Sequence, residues 1–201
     1  MDALSHASTP AFTMSYSISL ERQSGSSLIE ILVTILILAV GFLGLAGFMV
    51  QQQNQDIDSY QRAQALLLLN DMSQRMQSNR ANADDYITGT ENPLGIGMAC
   101  ETTAASIAEQ DLNAWCSALQ GSAESLGTQS VGAMVGARGC VEARGPQQYA
   151  ITVAWQGMTP VSVPAATCGA GEYNGAVGSP CVEDRCRRTV TTLVRIGSLA
   201  P

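Results

Sequence analysis

Twenty consecutive residues without a charge, 31–50 (ILVTILILAVGFLGLAGFMV), constrain this chain more than any other feature in it. At 1.5 Å per residue, a helix of that length spans the ~30 Å hydrocarbon core of a bilayer. Thr34 can return its hydroxyl to a carbonyl one turn back. There is no proline, so no backbone donor is lost where lipid could not replace it. A buried helix of a soluble core would need far more surrounding protein than the rest of the chain supplies. A cleaved secretory signal fits poorly too: the run is longer than a typical signal core, and the residues after it continue as helix. Gly44-Leu45-Ala46 and Gly47 are its only nominal small-residue cleavage candidates.

The junction before the span is the most specific stretch. From Gly25 it reads G-S-S-L-I-E-I-L-V-T. Glu30 places a lone carboxylate inside an apolar run, where an ionised group costs several kcal/mol or more unless it is paired or protonated. This layout resembles the prepilin family of type IV pilins and type II secretion pseudopilins. The resemblance implies that a membrane prepilin peptidase cuts after Gly25, and that Ser26, the first mature residue, is then N-methylated. Serine stands where the family usually has phenylalanine. Glu30 becomes the fifth mature residue. The implied role of Glu30 is to pair with the N-terminal ammonium of a neighbouring subunit, setting register between otherwise apolar helices in low dielectric.

Residues 1–25 are polar and mixed, and fit a leader that stays cytoplasmic and is removed. Translation from Met14 would give MSYSISLERQSG, closer to the usual leader length. His6, the one histidine in the sequence, reads as an exposed leader residue with no metal or catalytic role. Arg22 is the only base near the span, so charge asymmetry says little about orientation. The resemblance instead implies a single pass through the bacterial inner membrane, with the C-terminal domain in the periplasm.

Beyond Val50 no proline or glycine occurs until Gly89, and the pattern predicts one helix over 28–79. Residues 26–50 form its membrane and fibre-core part, and 51–80 its amphipathic continuation. Ile57, Tyr60, Ala63, Leu67, Leu68, Met72 and Met76 recur at three and four and predict its apolar face. Gln51–Gln53 would mark the interfacial boundary or a solvated face. Gly41, Gly44 and Gly47 recur every three residues, a spacing that lets helices approach closely in lipid.

Residues 81–201 read as a separate extracytoplasmic domain holding all six cysteines: Cys100, Cys116, Cys140, Cys168, Cys181 and Cys186. An even count confined there predicts disulfides in an oxidising compartment. Six cysteines allow fifteen pairings, among which Cys100–Cys116 and Cys181–Cys186 are candidates. Zinc is disfavoured, with no C-x₂-C pair and no nearby histidine. A helix is predicted over 106–119, capped by Ser106 with Glu109 reaching back. Its buried stripe would be Ile107, Leu112, Trp115 and Leu119. Strands are predicted at 139–143, 149–155 and 188–196. Between the last two, the Gly/Pro/Ser/Thr-rich stretch 157–187 reads as an excursion pinned by disulfides. The expected fold class is α+β: a type IV pilin-like long helix packed on a small antiparallel sheet.

Three stretches also resemble the minor pilin PilV group: Ala39-Val40-Gly41-Phe42-Leu43-Gly44-Leu45-Ala46-Gly47, Asp111-Leu112-Asn113-Ala114-Trp115 and Ile151-Thr152-Val153-Ala154-Trp155. That group implies a low-abundance subunit that primes pilus assembly and sits in a tip complex, supporting twitching motility and adhesion. The implied partners are other minor pilins, the major pilin, a large tip adhesin-like protein, the inner-membrane assembly platform, and the prepilin peptidase/methyltransferase. No cofactor and no metal are expected. With its one histidine in the leader, the mature domain cannot hold a Ser-His-Asp or Cys-His arrangement, and G-x-S-x-G, H-E-x-x-H and P-loop patterns are missing. The acidic pairs Asp84-Asp85 and Glu183-Asp184 read as solvated loop charge. Acids outnumber bases 17 to 10 and every base is arginine, without a basic run. Nucleic acid is therefore a poor partner. A minor pseudopilin of a type II secretion system shares the anchor logic. A single-pass envelope protein with a ligand-binding outer domain is the remaining alternative.

Overall fold

The computed structural model describes residues 27–122, 125–126, 129–130 and 134–197. Helix α1 runs Leu28–Ser78, in agreement with the expected 28–79. The chain divides into two units at Ala46–Gly47. In the first, residues 27–46 are all exposed, and the Thr34 hydroxyl donates to the carbonyls of Glu30 and Ile31, both at 2.8 Å. A helix that is apolar on every side with nothing packed on it is suited to lipid rather than to water. It is a membrane anchor, with a globular domain following it.

In the second unit, α1 buries Gln61, Ala65, Leu69, Met72 and Met76. This corrects the face read from sequence. Ile57, Tyr60, Ala63 and Leu67 are exposed, and Leu68 is only partly buried. The run Leu66–Leu69 supplies leucine in every direction, so it cannot fix the phase. The spacing Gln61-Ala65-Leu69 fixes it instead, through a small residue and a polar one that an apolar stripe omits.

After α1, a 3-10 segment (Arg80–Tyr86) leads to the two-residue strand β1, Leu94–Gly95. Helix α2, Ile107–Leu119, starts where Ser106 caps it: the Ser106 hydroxyl accepts the Glu109 N–H at 3.1 Å. The Glu109 carboxylate in turn accepts the Ala105 N–H at 2.6 Å. The buried residues of α2 are Ala108, Trp115, Cys116 and Leu119. Ile107, expected inside, is exposed, and Leu112 is partly buried. Ile107 is the first residue after the cap, and Ala108 takes the inward position there.

Strands β2 (Ser125–Leu126) and β3 (Gln129–Ser130) pair antiparallel. Strands β4 (Arg138–Gly145), β5 (Gln148–Gln156) and β6 (Arg187–Arg195) cover the three sequence-predicted strands, each somewhat extended or shifted. They join β1 in one antiparallel sheet of order β1-β4-β5-β6. The alternation of β5 is real, yet both of its faces are buried. Tyr149, Ile151, Val153 and Trp155 join the core made with α1 and α2. Ala154 packs with Cys140, Cys168 and Tyr173 on the other side. That second layer comes from the chain between β5 and β6. Arg187, 3% exposed, holds it by donating to the carbonyls of Pro164, Ala166 and Cys168. Asp184 pairs with Arg187 at 3.3 Å and accepts the Gly171 N–H at 2.7 Å. Asp184 is thus a buried structural acid, not solvated loop charge. The long helix packed on a small four-stranded antiparallel sheet is the type IV pilin-like fold expected from sequence.

Candidate functional site

Gly25 and Ser26, the expected cleavage and methylation residues, lie outside the described residues, as does His6. The helix they precede begins at once. The Ser27 carbonyl accepts the Glu30 N–H at 2.9 Å, and its hydroxyl accepts the Ile29 N–H at 3.3 Å. Ser27 therefore closes the N-terminus of α1. Glu30 lies in the first turn, where a carboxylate complements the positive end of the helix dipole. It is exposed, and among the described residues no cation pairs with it.

Gly41, Gly44 and Gly47 are all helical. A Cβ added at any of them would meet nothing within 4 Å. Contacts among the described residues therefore do not require glycine there. The anchor combines one carboxylate in the first turn, a charge-free span and three open glycines. Chemically such a surface associates with lipid or with other helices.

The domain is held by three disulfides, Cys100–Cys116, Cys140–Cys168 and Cys181–Cys186. They use all six cysteines of the sequence. The first ties the segment after β1 to α2. The second ties β4 to the layer on the far face of the sheet. The third closes a short loop just before β6. Both candidate pairings from sequence are present. No cluster of potential metal ligands occurs among the described residues.

Two polar clusters lock the helices and the sheet together. Asp111 on α2 accepts the Tyr86 hydroxyl and pairs with Arg75 of α1 at 2.8 Å; Arg75 also pairs with Asp71 at 2.9 Å. Tyr149 on β5 donates to Asp84 at 2.6 Å, so Asp84 is also more than loop charge. Burial, reinforced by the carboxylate that accepts each hydroxyl, pushes Tyr86 and Tyr149 up to about 12. Near the start of the packed part of α1, the Gln61 side-chain oxygen accepts the Val135 N–H at 2.9 Å. Farther along, Trp115 donates its indole N–H to the Leu68 carbonyl at 2.9 Å. Sequence reasoning missed Gln61, Arg75 and Arg187. The four-residue spacing of Gln61 from Ala65 was the one available sign of its burial.

Anchor, four-stranded sheet and disulfide-bound layer together define a membrane-anchored protein of pilin-like architecture. Comparison with known families adds one specific element: residues 21–46 match the family model described as the prokaryotic N-terminal methylation motif. No curated protein and no solved structure matches the chain. The match spans the Gly25–Ser26 junction, Glu30 and most of the apolar span.

Proposed function

We propose that the chain is a minor type IV pilin. In this reading it is cut after Gly25, methylated at Ser26, and held in the bacterial inner membrane with its domain in the periplasm. It then enters a fibre, where it helps prime assembly and forms part of the tip complex, supporting twitching motility and adhesion. The PilV-like stretches point to other minor pilins, the major pilin, a large tip adhesin-like protein and the assembly platform as partners. The chain carries no catalytic step; the prepilin peptidase/methyltransferase acts on it.

The observation that carries this reading is the methylation-motif match over residues 21–46, with Glu30 five residues after Gly25. An ordinary anchor gains nothing from a carboxylate at that place, whereas a helix that must register against a neighbour's terminal ammonium does. Intact mass and N-terminal peptide mapping of the chain from its native host test it. The expected mature chain begins at methylated Ser26, and Gly25→Val blocks the cut. An uncut terminus in cells with active prepilin peptidase overturns the fibre-subunit reading. Deletion of the gene is expected to reduce surface pili; loss of protein export with normal pili would instead make it a secretion pseudopilin.

A further inference from the structure

Beside α1, at the point where the helix meets the end of β5, Asp58, Ser59, Arg62, Trp155 and Arg188 line an open cleft of about 230 Å³. Trp155 and Arg188 stand directly opposite each other on β5 and β6, so their side chains share one sheet face. Asp58 and Arg62 are one helical turn apart, a spacing suited to an ion pair. They do not make one. Asp58 accepts the Met158 N–H at 3.1 Å and faces Arg188 at 3.7 Å. Among the described residues Arg62 has no acidic partner within ion-pair distance, and it is exposed.

Arg188 is fixed rather than free. It donates to the Thr159 carbonyl at 2.7 Å and reaches the Arg185 carbonyl at 3.5 Å. Its guanidinium lies against Gly157, where an added Cβ would come within 2.7 Å of Cζ. Trp155 is 3% exposed, and its indole N–H, itself buried, has no hydrogen-bond partner among the described residues. The cleft therefore offers one exposed guanidinium without an acidic partner among the described residues, a fixed one and a hydroxyl, against the wall made by Trp155. Against these it sets one carboxylate, already engaged.

We infer that this cleft is a binding site for a carboxylate group, with Arg62 as its principal cation, Arg188 as its second and Trp155 as its wall. A guanidinium fork matches a carboxylate in two parallel hydrogen bonds. A lipid phosphate is the weaker fit. Arg62 lies twelve residues past Val50, about 18 Å of helix, whereas the headgroup layer extends only about 5–8 Å beyond the hydrocarbon on each side. The carboxylate belongs either to an acidic side chain of another protein or to a small organic acid. The site does not depend on the fibre-subunit reading, and its test is independent of processing at Gly25.

The test uses the two tryptophans of the full chain in uncharged maltoside micelles. Each indole N–H gives its own ¹H–¹⁵N resonance. Trp115, already bonded to the Leu68 carbonyl, serves as the internal reference. Titration with N-acetyl-glutamate N-methylamide, and separately with glutarate, is expected to move the Trp155 resonance saturably at millimolar concentration while Trp115 stays fixed. Tighter binding of the peptide probe assigns the site to a protein side chain; tighter binding of glutarate assigns it to a small acid. Arg62→Gln is expected to weaken either by about tenfold or more, the scale of one charge-assisted hydrogen bond. No movement of Trp155 overturns the proposal. So does an unchanged affinity in Arg62→Gln, or an equal response to inorganic phosphate at matched ionic strength.

Discussion

Gly139 shows how much one missing side chain can decide. A Cβ at this position of β4 would lie 2.3 Å from Trp115 Cη2 and 2.8 Å from Leu119 Cδ1. Trp115 cannot retreat, because it is fully buried and its indole is bonded to the Leu68 carbonyl. Gly139→Val is therefore expected to cost about 1–3 kcal/mol, the range for overpacking a filled core, measured by urea unfolding of the micelle-bound chain. At this scale the sequence was legible only where chemistry is conspicuous. Glu30 stands out because a carboxylate is foreign to an apolar span. Gln61 and Arg187 do not stand out, because what buries them is remote or irregular. The backbone N–H that Gln61 meets belongs to Val135, and the carbonyls around Arg187 come from a stretch without periodicity.

Elements were easier to foresee than the faces they bury. Alternation and β-branched content marked β4, β5 and β6, and the lack of breakers marked α1. The phase of α1 was lost in Leu66–Leu69, and the two-residue strand β1 is too short to leave any pattern. The layer between β5 and β6 was recognisable as an excursion, but its pins were not. Those pins differ in strength. In the chain-entropy account, Cys140–Cys168 closes a loop worth about 3 to 4 kcal/mol, and Cys181–Cys186 one worth about 2 kcal/mol. Replacing both members of each pair by serine is expected to lower stability, more for Cys140–Cys168 than for Cys181–Cys186, as read from unfolding free energies extrapolated to water with each variant's own slope. A larger loss from the shorter loop would show that it does more than close itself.

Over the whole molecule, two tyrosine hydroxyls reach carboxylates distant in sequence: Tyr86 with Asp111 of α2, and Tyr149 of β5 with Asp84. Both are pushed up to about 12, first by burial and then by their carboxylate partners. The folded domain therefore holds these protons more tightly than the unfolded chain, whose tyrosines titrate near 10. The resulting stability is complete below about pH 10 and is lost as pH rises from there towards 12. Melting temperature followed across that interval is expected to fall. Tyr149→Phe, which removes one of these hydroxyls, is expected to make the fall shallower. The overall architecture needed none of this detail to be anticipated. One anchor, one amphipathic continuation and three strands leave few ways to bury an apolar helix face.

The pairing of the cysteines also carries information about time. First joins second, third joins fourth and fifth joins sixth, so no bridge encloses or crosses another. A chain delivered N-terminus first to an oxidant would form every correct bond simply by joining each cysteine to the one that emerged just before it. Such a chain needs no later reshuffling to reach its native connectivity.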